Sequence, residues 1–528
     1  MSKKMKYLFT GFMACVLVCY SHAGPKKSDQ EIARILGTAE ALAHNLAGVD
    51  RAYAYLLVSH AYASFDPSEE KRLLKESCNA AISAPAEDLD VSFKEKIEYD
   101  CLQRLLVVMS GPANELLPSA GANVRQQILG AKAADFAKKG DVDAAMTLLS
   151  AEITRGADYP YDRAIVVMKA LPKGDRADRD RIFAQALSIF RERHTRATAG
   201  MEDLGTLIVQ SWRDLSPGLV LEAVNELLDS ALNENVADSH LEVTVSLQSS
   251  ARSFGSLYQY RLFQLLPVLR ALDPSGAEKL VRDNQQLGLS QKPDAGPVLS
   301  MTLQRKDGPA GGTGAGNQTF GAIQLRLRAE QILASVKDAP SSALARALAL
   351  DDNIDQNRSI KADLLTGIAR ATAKEHPELA TDALAELSKV VEHYPLILRC
   401  RYLAEAGNLY WRMKKIDKVR DIVGQGMKLA NELYKADTNS DDPNRALKSA
   451  WPSTVVSRAF VGLASRVSLK FAEEIVKEIP DYDLQVFGRI EMASTLLATS
   501  SYPSLMEQRH KQQNVYSMRV FAIFSANN

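Results

Sequence analysis

Several groups of residues have the types and spacing that chemistry uses, and each lacks part of what its chemistry needs. Gly311 to Gln318 has the glycine density of a phosphate loop, but no Lys follows Gly316 and no strand pattern precedes it. A phosphate loop needs a strand and a helix to aim its amides, and the Walker type also needs the lysine charge. Asp437-x-Asn439-x-Asp441 opens like a calcium loop, yet its sixth position is Asp442 and its twelfth is Lys448. Calcium loops of this type take Gly and a bidentate Glu at those positions. His44, His60, His194, His240, His376, His393 and His510 fall in no His-Glu-x-x-His or His-x-His arrangement, so metal-hydrolase spacing is absent. No Gly-x-Ser-x-Gly elbow appears either, which removes one route to a serine nucleophile. No cofactor, metal or catalytic residue is therefore assigned. Carboxylates are abundant, and a pair facing each other across about 5–10 Å would suffice for glycan cleavage. That leaves an all-helical enzyme acting on cell-wall or other polysaccharide as the alternative function.

The N-terminal residues address the chain. Lys3, Lys4 and Lys6 precede a mostly apolar run from Tyr7 to Tyr20, and Ser21-His22-Ala23 ends in a small residue before Gly24. This is the layout of a signal peptide over residues 1–23, cleaved between Ala23 and Gly24. It predicts an exported protein, periplasmic or extracellular. Removing those residues leaves 61 basic against 64 acidic groups, formally about −3. That balance gives no electrostatic case for nucleic acid, and no later apolar run reaches the ~20 residues of a membrane span. Three cysteines remain, Cys78, Cys101 and Cys400. Cys78 and Cys101 fall on consecutive helical segments, where either a disulfide or two buried thiols fits the pattern.

The elements that would have to position any site are helices on a fixed step. Ala380-x-x-Ala383-Leu384-x-x-Leu387 is matched by Val419-x-x-Ile422-Val423 and by Ala472-x-x-Ile475-Val476-x-x-Ile479. Apolar residues at i, i+3, i+4 and i+7 share one face of a helix. The step from Ala380 to Val419 is 39 residues; the next is 53, and the polar insert Asp437–Ala450 accounts for 14 of those. A fixed step of this size predicts an all-α fold, an α-solenoid of antiparallel helix pairs, because a single pair cannot bury its apolar face alone. Phe65-Asp66-Pro67, Ser216-Pro217 and Asp273-Pro274 each place a capping side chain before a proline at the first helical position. Strand alternation shows briefly at Leu241–Leu247. The Gly/Pro-rich composition of residues 287–319 predicts a flexible linker between helical regions at 24–286 and 320–528.

Two spots resemble the tetratricopeptide pattern: Gly407-x-x-Tyr410 with Val419 and Val423, and Ala133-x-x-Phe136 with Ala145 and Leu149. The 39-residue step lies nearer the HEAT range, so the subtype stays open. Asp442-Pro443-Asn444-Arg445-Ala446-Leu447, Trp451-Pro452-Ser453 and Ile479-Pro480-Asp481 add a general likeness to exported bacterial helical-repeat proteins. The resemblance implies a repeat scaffold and carries no catalytic residue. The leading expectation is a non-catalytic scaffold that binds a protein or peptide partner.

Overall fold

The computed structural model describes residues 27–63, 66–85, 91–155, 157–193, 203–237, 241–246, 251–284, 300–305, 320–352, 354–355, 358–439 and 447–499. Most of these are helical, and capping side chains show why helices begin where they do. The Asp66 carboxylate accepts from Ser68 N and Glu69 N ahead of Pro67, and Asp273 accepts from Gly276 N ahead of Pro274. Ser216, the third expected cap, instead donates its hydroxyl to Asp180. The chain divides into two compact units, Met1–Leu116 with Gly316–Asn528, and Leu117–Ala315.

The first unit begins with α1 (Lys27–Ala43), α2 (Gly48–Tyr62), α3 (Pro67–Ser83), α4 (Val91–Val108) and α5 (Ser110–Leu116). α2 packs on α3 and α3 on α4, while α5 follows α4 across the single residue Met109, whose amide still bonds Leu105 O. Inside the α3–α4 contact, Glu70 is 4 % exposed and takes two bonds from the Arg104 guanidinium. A buried carboxylate without such a partner would be costly.

The second unit holds α6 (Ala122–Lys138), α7 (Val142–Ser150), α8 (Tyr161–Ala170), α9 (Arg176–Arg193), α10 (Leu204–Ser211), α11 (Pro217–Ala237), α12 (Leu257–Leu272) and α13 (Pro274–Asp283). First helices of each pair, α6, α8, α10 and α12, pack in succession beside the second helices. One core runs through them from Ala133 to Ala277. Between α11 and α12 lie β1 (Leu241–Ser246) and β2 (Ala251–Phe254), and β3 (Ser300–Arg305) returns to the other edge of β1, all antiparallel. Val243 faces Phe254 across one ladder and Leu303 across the other. The brief alternation in the sequence thus marks a real strand. β3 lies inside residues 287–319, where composition predicts a flexible linker; Met301 and Leu303 supply an alternation that β1 can pair. The rest of that segment is outside the described residues.

Returning to the first unit, the chain forms α14 (Phe320–Ala334), α15 (Pro340–Leu348), a two-strand ribbon of β4 (Ile354–Asp355) and β5 (Arg358–Ser359), then α16 (Ile360–Thr372), α17 (Pro377–Val390), α18 (Leu396–Arg412), α19 (Ile416–Thr438), α20 (Pro452–Val467), α21 (Leu469–Lys477) and α22 (Gln485–Thr499). The repeat register read from the sequence is carried by α17, α19 and α21. Ala380, Ala383, Val419, Val423, Ala472 and Val476 are all fully buried. Each large apolar side chain buried this way contributes about 1.5–3 kcal/mol relative to exposure.

Among the described residues α22 is the last helix, and the first described helix packs against it. α22 packs against α1 and then against α2, so one helix pair is assembled from the two ends of the described chain. Tyr53 on α2 meets Phe487 on α22 at 6.0 Å between ring centroids. Arg34 on α1 pairs with Glu473 on α21 at 2.5 Å. The Asp50 carboxylate on α2 accepts from the backbone amides of Lys448 and Ser449 at 3.0 and 2.9 Å, capping the turn before α20. The unit boundary therefore differs from the sequence expectation of halves at 24–286 and 320–528. Residues 27–116 belong with the C-terminal segment because the apolar face of α22 is covered by α1.

Candidate functional site

Three places in the first unit gather polar or aromatic side chains. The first is a cleft beside the N-terminal turns of α20, lined by Tyr434, Ser453, Thr454, Ser457, Arg458 and Gly488 among others, with about 260 Å³ of empty space that includes open solvent. Ligand pockets run from roughly 300 to 1,000 Å³, so the cleft lies below that range. Ser453 Oγ and Arg458 Nε are buried there without a hydrogen-bond partner. Asp437 already accepts from Ser453 N at 2.9 Å, and Glu491 stands 3.5 Å from the Arg458 guanidinium. Their negative charges oppose an anion at this helix start. The Arg458 guanidinium also interacts electrostatically with Tyr53 on α2, so it ties α20 to the N-terminal helices.

The second place looks more like catalytic machinery. Ser359 Oγ donates to Asp352 Oδ1 at 2.7 Å and accepts from the Tyr394 hydroxyl at 2.6 Å and from Ala362 N at 3.0 Å. Tyr402 OH donates to Asp363 at 2.9 Å and accepts from Ser359 N at 3.0 Å. The Tyr394 hydroxyl has one proton and stands 2.6 Å from both Ser359 Oγ and Asp352 Oδ2, while Ser359 Oγ also caps α16 through Ala362 N, so the serine hydroxyl is engaged in holding this helix start. Burial pushes both tyrosine hydroxyls well above their ordinary range, so neither supplies a base. Asp352 faces the Ser359 and Tyr394 hydroxyls, and Asp363 accepts from the Tyr402 hydroxyl. The network pins the β4–β5 ribbon to α16 and α18.

The third place is the turn between α18 and α19 with its neighbour between α20 and α21. Trp411 Nε1 donates to Arg466 O at 3.2 Å, and the Arg466 guanidinium lies 5.2 Å from the centre of the Trp411 ring. Arg466 also bonds Asn408 Oδ1 at 2.6 Å. One turn away, Arg420 stands 4.6 Å over Phe471. Arg412, Lys414, Ile416, Lys418, Arg420, Arg466 and Lys470 are all exposed. Burial lowers the Arg466 pKa, Glu491 acts against that shift, and the like charge of Arg412 acts with it. Gly407 and Gly426, beneath this surface, let helices approach closely: an added Cβ would collide with Leu463 and with the Phe460 ring, respectively. Trp and Arg are the residues that most often dominate protein contacts.

The structure places the candidates named from the sequence as follows. Cys78 on α3 and Cys101 on α4 are brought together as buried free thiols, with Cys101 also donating to Glu98 O at 3.2 Å. Burial, with Cys78 beside it, pushes the Cys101 thiol well up. Cys400 is buried alone on α18. Ala23 and Gly24 lie outside the described residues, as does the segment Gly311 to Gln318. Asp437 caps α20, and Asp441 is outside the described residues. Among the described residues no group of three His, Cys, Asp or Glu side chains could hold a metal. No helix among them is long and apolar enough to cross a membrane. The turn cluster matches no motif in the sequence, although the run Trp411-Arg412-Met413-Lys414-Lys415 carries its signal.

Fold and site together define a predominantly α-helical protein built from repeated helix pairs. No family model and no curated protein matches the chain. Among solved structures, a "Circular tandem repeat protein with novel repeat topology and enhanced subunit contact surfaces" aligns over 89 % of this chain and 99 % of its own, at 12 % identity. Its TM-score of 0.18 establishes neither a shared fold nor a shared function.

Proposed function

We propose that this chain is an exported α-solenoid scaffold, without catalytic activity of its own, that binds a protein or peptide partner. The observation that carries the reading is the surface cluster of Trp411, Asn408 and Arg466 across α18 and α20, held rigid by the hydrogen bonds between the two helices. Stacked helix pairs present such clusters on a continuous surface. A preorganised Trp–Arg pair loses little side-chain entropy when a partner docks. A photo-crosslinking amino acid in place of Trp411 in the full chain tests this. The expected result is a discrete adduct in the cell's envelope fraction that disappears when Arg466→Ala is added while helical circular dichroism is unchanged. No adduct, together with turnover of a polysaccharide, would overturn the scaffold reading in favour of the enzyme alternative.

A further inference from the structure

We propose that the turn joining α18 to α19 docks an acidic segment of the partner protein, with Arg412, Lys414, Lys418 and Arg466 reading its carboxylates. This rests on the scaffold reading above and names the chemistry of what that surface takes.

The backbone of this turn supplies the first argument. Lys414 N donates to Trp411 O at 2.9 Å and Lys415 N to Tyr410 O at 3.0 Å. Residues 136–141 make the same pair of bonds, Gly140 N to Ala137 O and Asp141 N to Phe136 O, each at 3.0 Å. Both are Schellman closures, which place one residue in the left-handed region and strongly prefer Gly there. Gly140 occupies it at φ 81°, whereas the α18–α19 turn puts Lys414 there at φ 59°. Among the described residues Lys414 is the one non-glycine with such a φ. A lysine in that conformation is strained by its own Cβ. Strain of this kind persists where a side chain is wanted for something other than stability.

Charge supplies the second argument. Between Trp411 and Arg420 five basic side chains stand against one acid, Asp417. Lys415 is paired with Glu378 at 3.4 Å. Among the described residues Arg412, Lys414, Lys418 and Lys470 have no ion pair, although the chain as a whole is neutral. An unneutralised basic patch on a neutral protein steers an anionic partner. Two features choose a peptide over other polyanions. The Trp411 and Phe471 rings are each covered by an arginine, which occupies faces that nucleobases would need for stacking. Asp417 and Asp421 break the run of cations, unlike the unbroken polybasic clusters that hold anionic lipid.

The test uses the full chain and three probes: a fluorescent hexaglutamate peptide, phosphatidylglycerol vesicles and a single-stranded oligonucleotide. Wild type should bind the peptide at about 50 mM salt and lose most of that binding near 300 mM, as screened surface charges do. Lys414→Gly should weaken the peptide severalfold while raising the melting temperature by about 2–4 °C, because it relieves the strained turn. The double variant Arg412→Glu with Lys418→Glu should weaken it at least roughly tenfold with unchanged helical circular dichroism. Peptide binding that Lys414→Gly leaves intact overturns the proposal. So does binding of vesicles or oligonucleotide without the peptide, and so does no binding at all. A Trp411 adduct that hexaglutamate fails to compete removes this inference and leaves the scaffold reading standing.

Discussion

Cys400 shows how burial converts a single side chain into a pH-dependent contribution. It is 2 % exposed, and burial pushes its thiol up to about 12. In the unfolded chain a thiol ionises near 8.5. A group whose folded pKa is raised contributes stability that is complete below the unfolded value and is lost as pH rises through the folded one. From about pH 8.5 upward, therefore, the thiolate favours the unfolded chain, at a limiting slope of about 1.4 kcal/mol per pH unit. Tyr62, also pushed up to about 12 by burial, adds a similar loss only above its unfolded value near 10. Urea unfolding at pH 8, 9 and 10 should show stability falling across the series, and Cys400→Ala should reduce the fall between pH 8 and 10, leaving the share of the Cys101 thiol, which burial also pushes up. An unchanged slope in the variant would mean the thiol is not the source. The burial of Cys400 is legible in the sequence, because it shares the face of Leu403 and Gly407 on a periodic helix. The Ser359 network is not: Tyr394 and Tyr402 reach it from 35 and 43 residues away. No local pattern announces such a bond.

Two glycines in α19 separate what a helix tolerates from what its packing forbids. An added Cβ at Gly424 has nothing within 4 Å, whereas at Gly426 it would fall inside the Phe460 ring of α20. Gly424→Ala should therefore stabilise the protein by about 0.5–1 kcal/mol through helix propensity and a less flexible unfolded chain. Gly426→Ala gains the same propensity but forces α19 from α20, and overpacking of this kind costs about 1–3 kcal/mol. Denaturant midpoints of the two variants should move in opposite directions; a shared sign would show that the α19–α20 contact can give way. At this scale the sequence is informative. Ala380, Val419 and Ala472 share one register in it, and all three are fully buried on the second helices of consecutive pairs. The signal is strong because helix periodicity and close packing are both local to one step. β3 is illegible for the opposite reason: its pairing with β1 spans more than fifty residues and sits within glycine- and proline-rich sequence.

For the molecule as a whole, the ends of the described chain meet in one unit, and that fact decides which fragments can fold. The sequence expectation cuts at residues 286 and 320, which would leave α22 without α1 and the Lys448–Ser449 turn without Asp50. Burial holds the Asp50 carboxyl above its usual range even as it accepts both amides. Removing Asp50 would leave those donors without a partner, at about 1–3 kcal/mol. The second unit, by contrast, is continuous in sequence and has its own core from Ala133 to Ala277. Expressed alone, residues 117–315 should give helical circular dichroism and a single cooperative thermal transition. Residues 320–528 alone should expose the apolar face of α22, through Ile490, Ala493 and Leu497, and unfold at lower temperature than the same residues coexpressed with 24–116. The added N-terminal piece should restore amide-exchange protection across 447–499, where Asp50, Tyr53 and Arg34 make their contacts. If residues 320–528 prove equally stable with and without that piece, the pairing of α1 with α22 does not hold the unit together, and the sequence-based division is the better description.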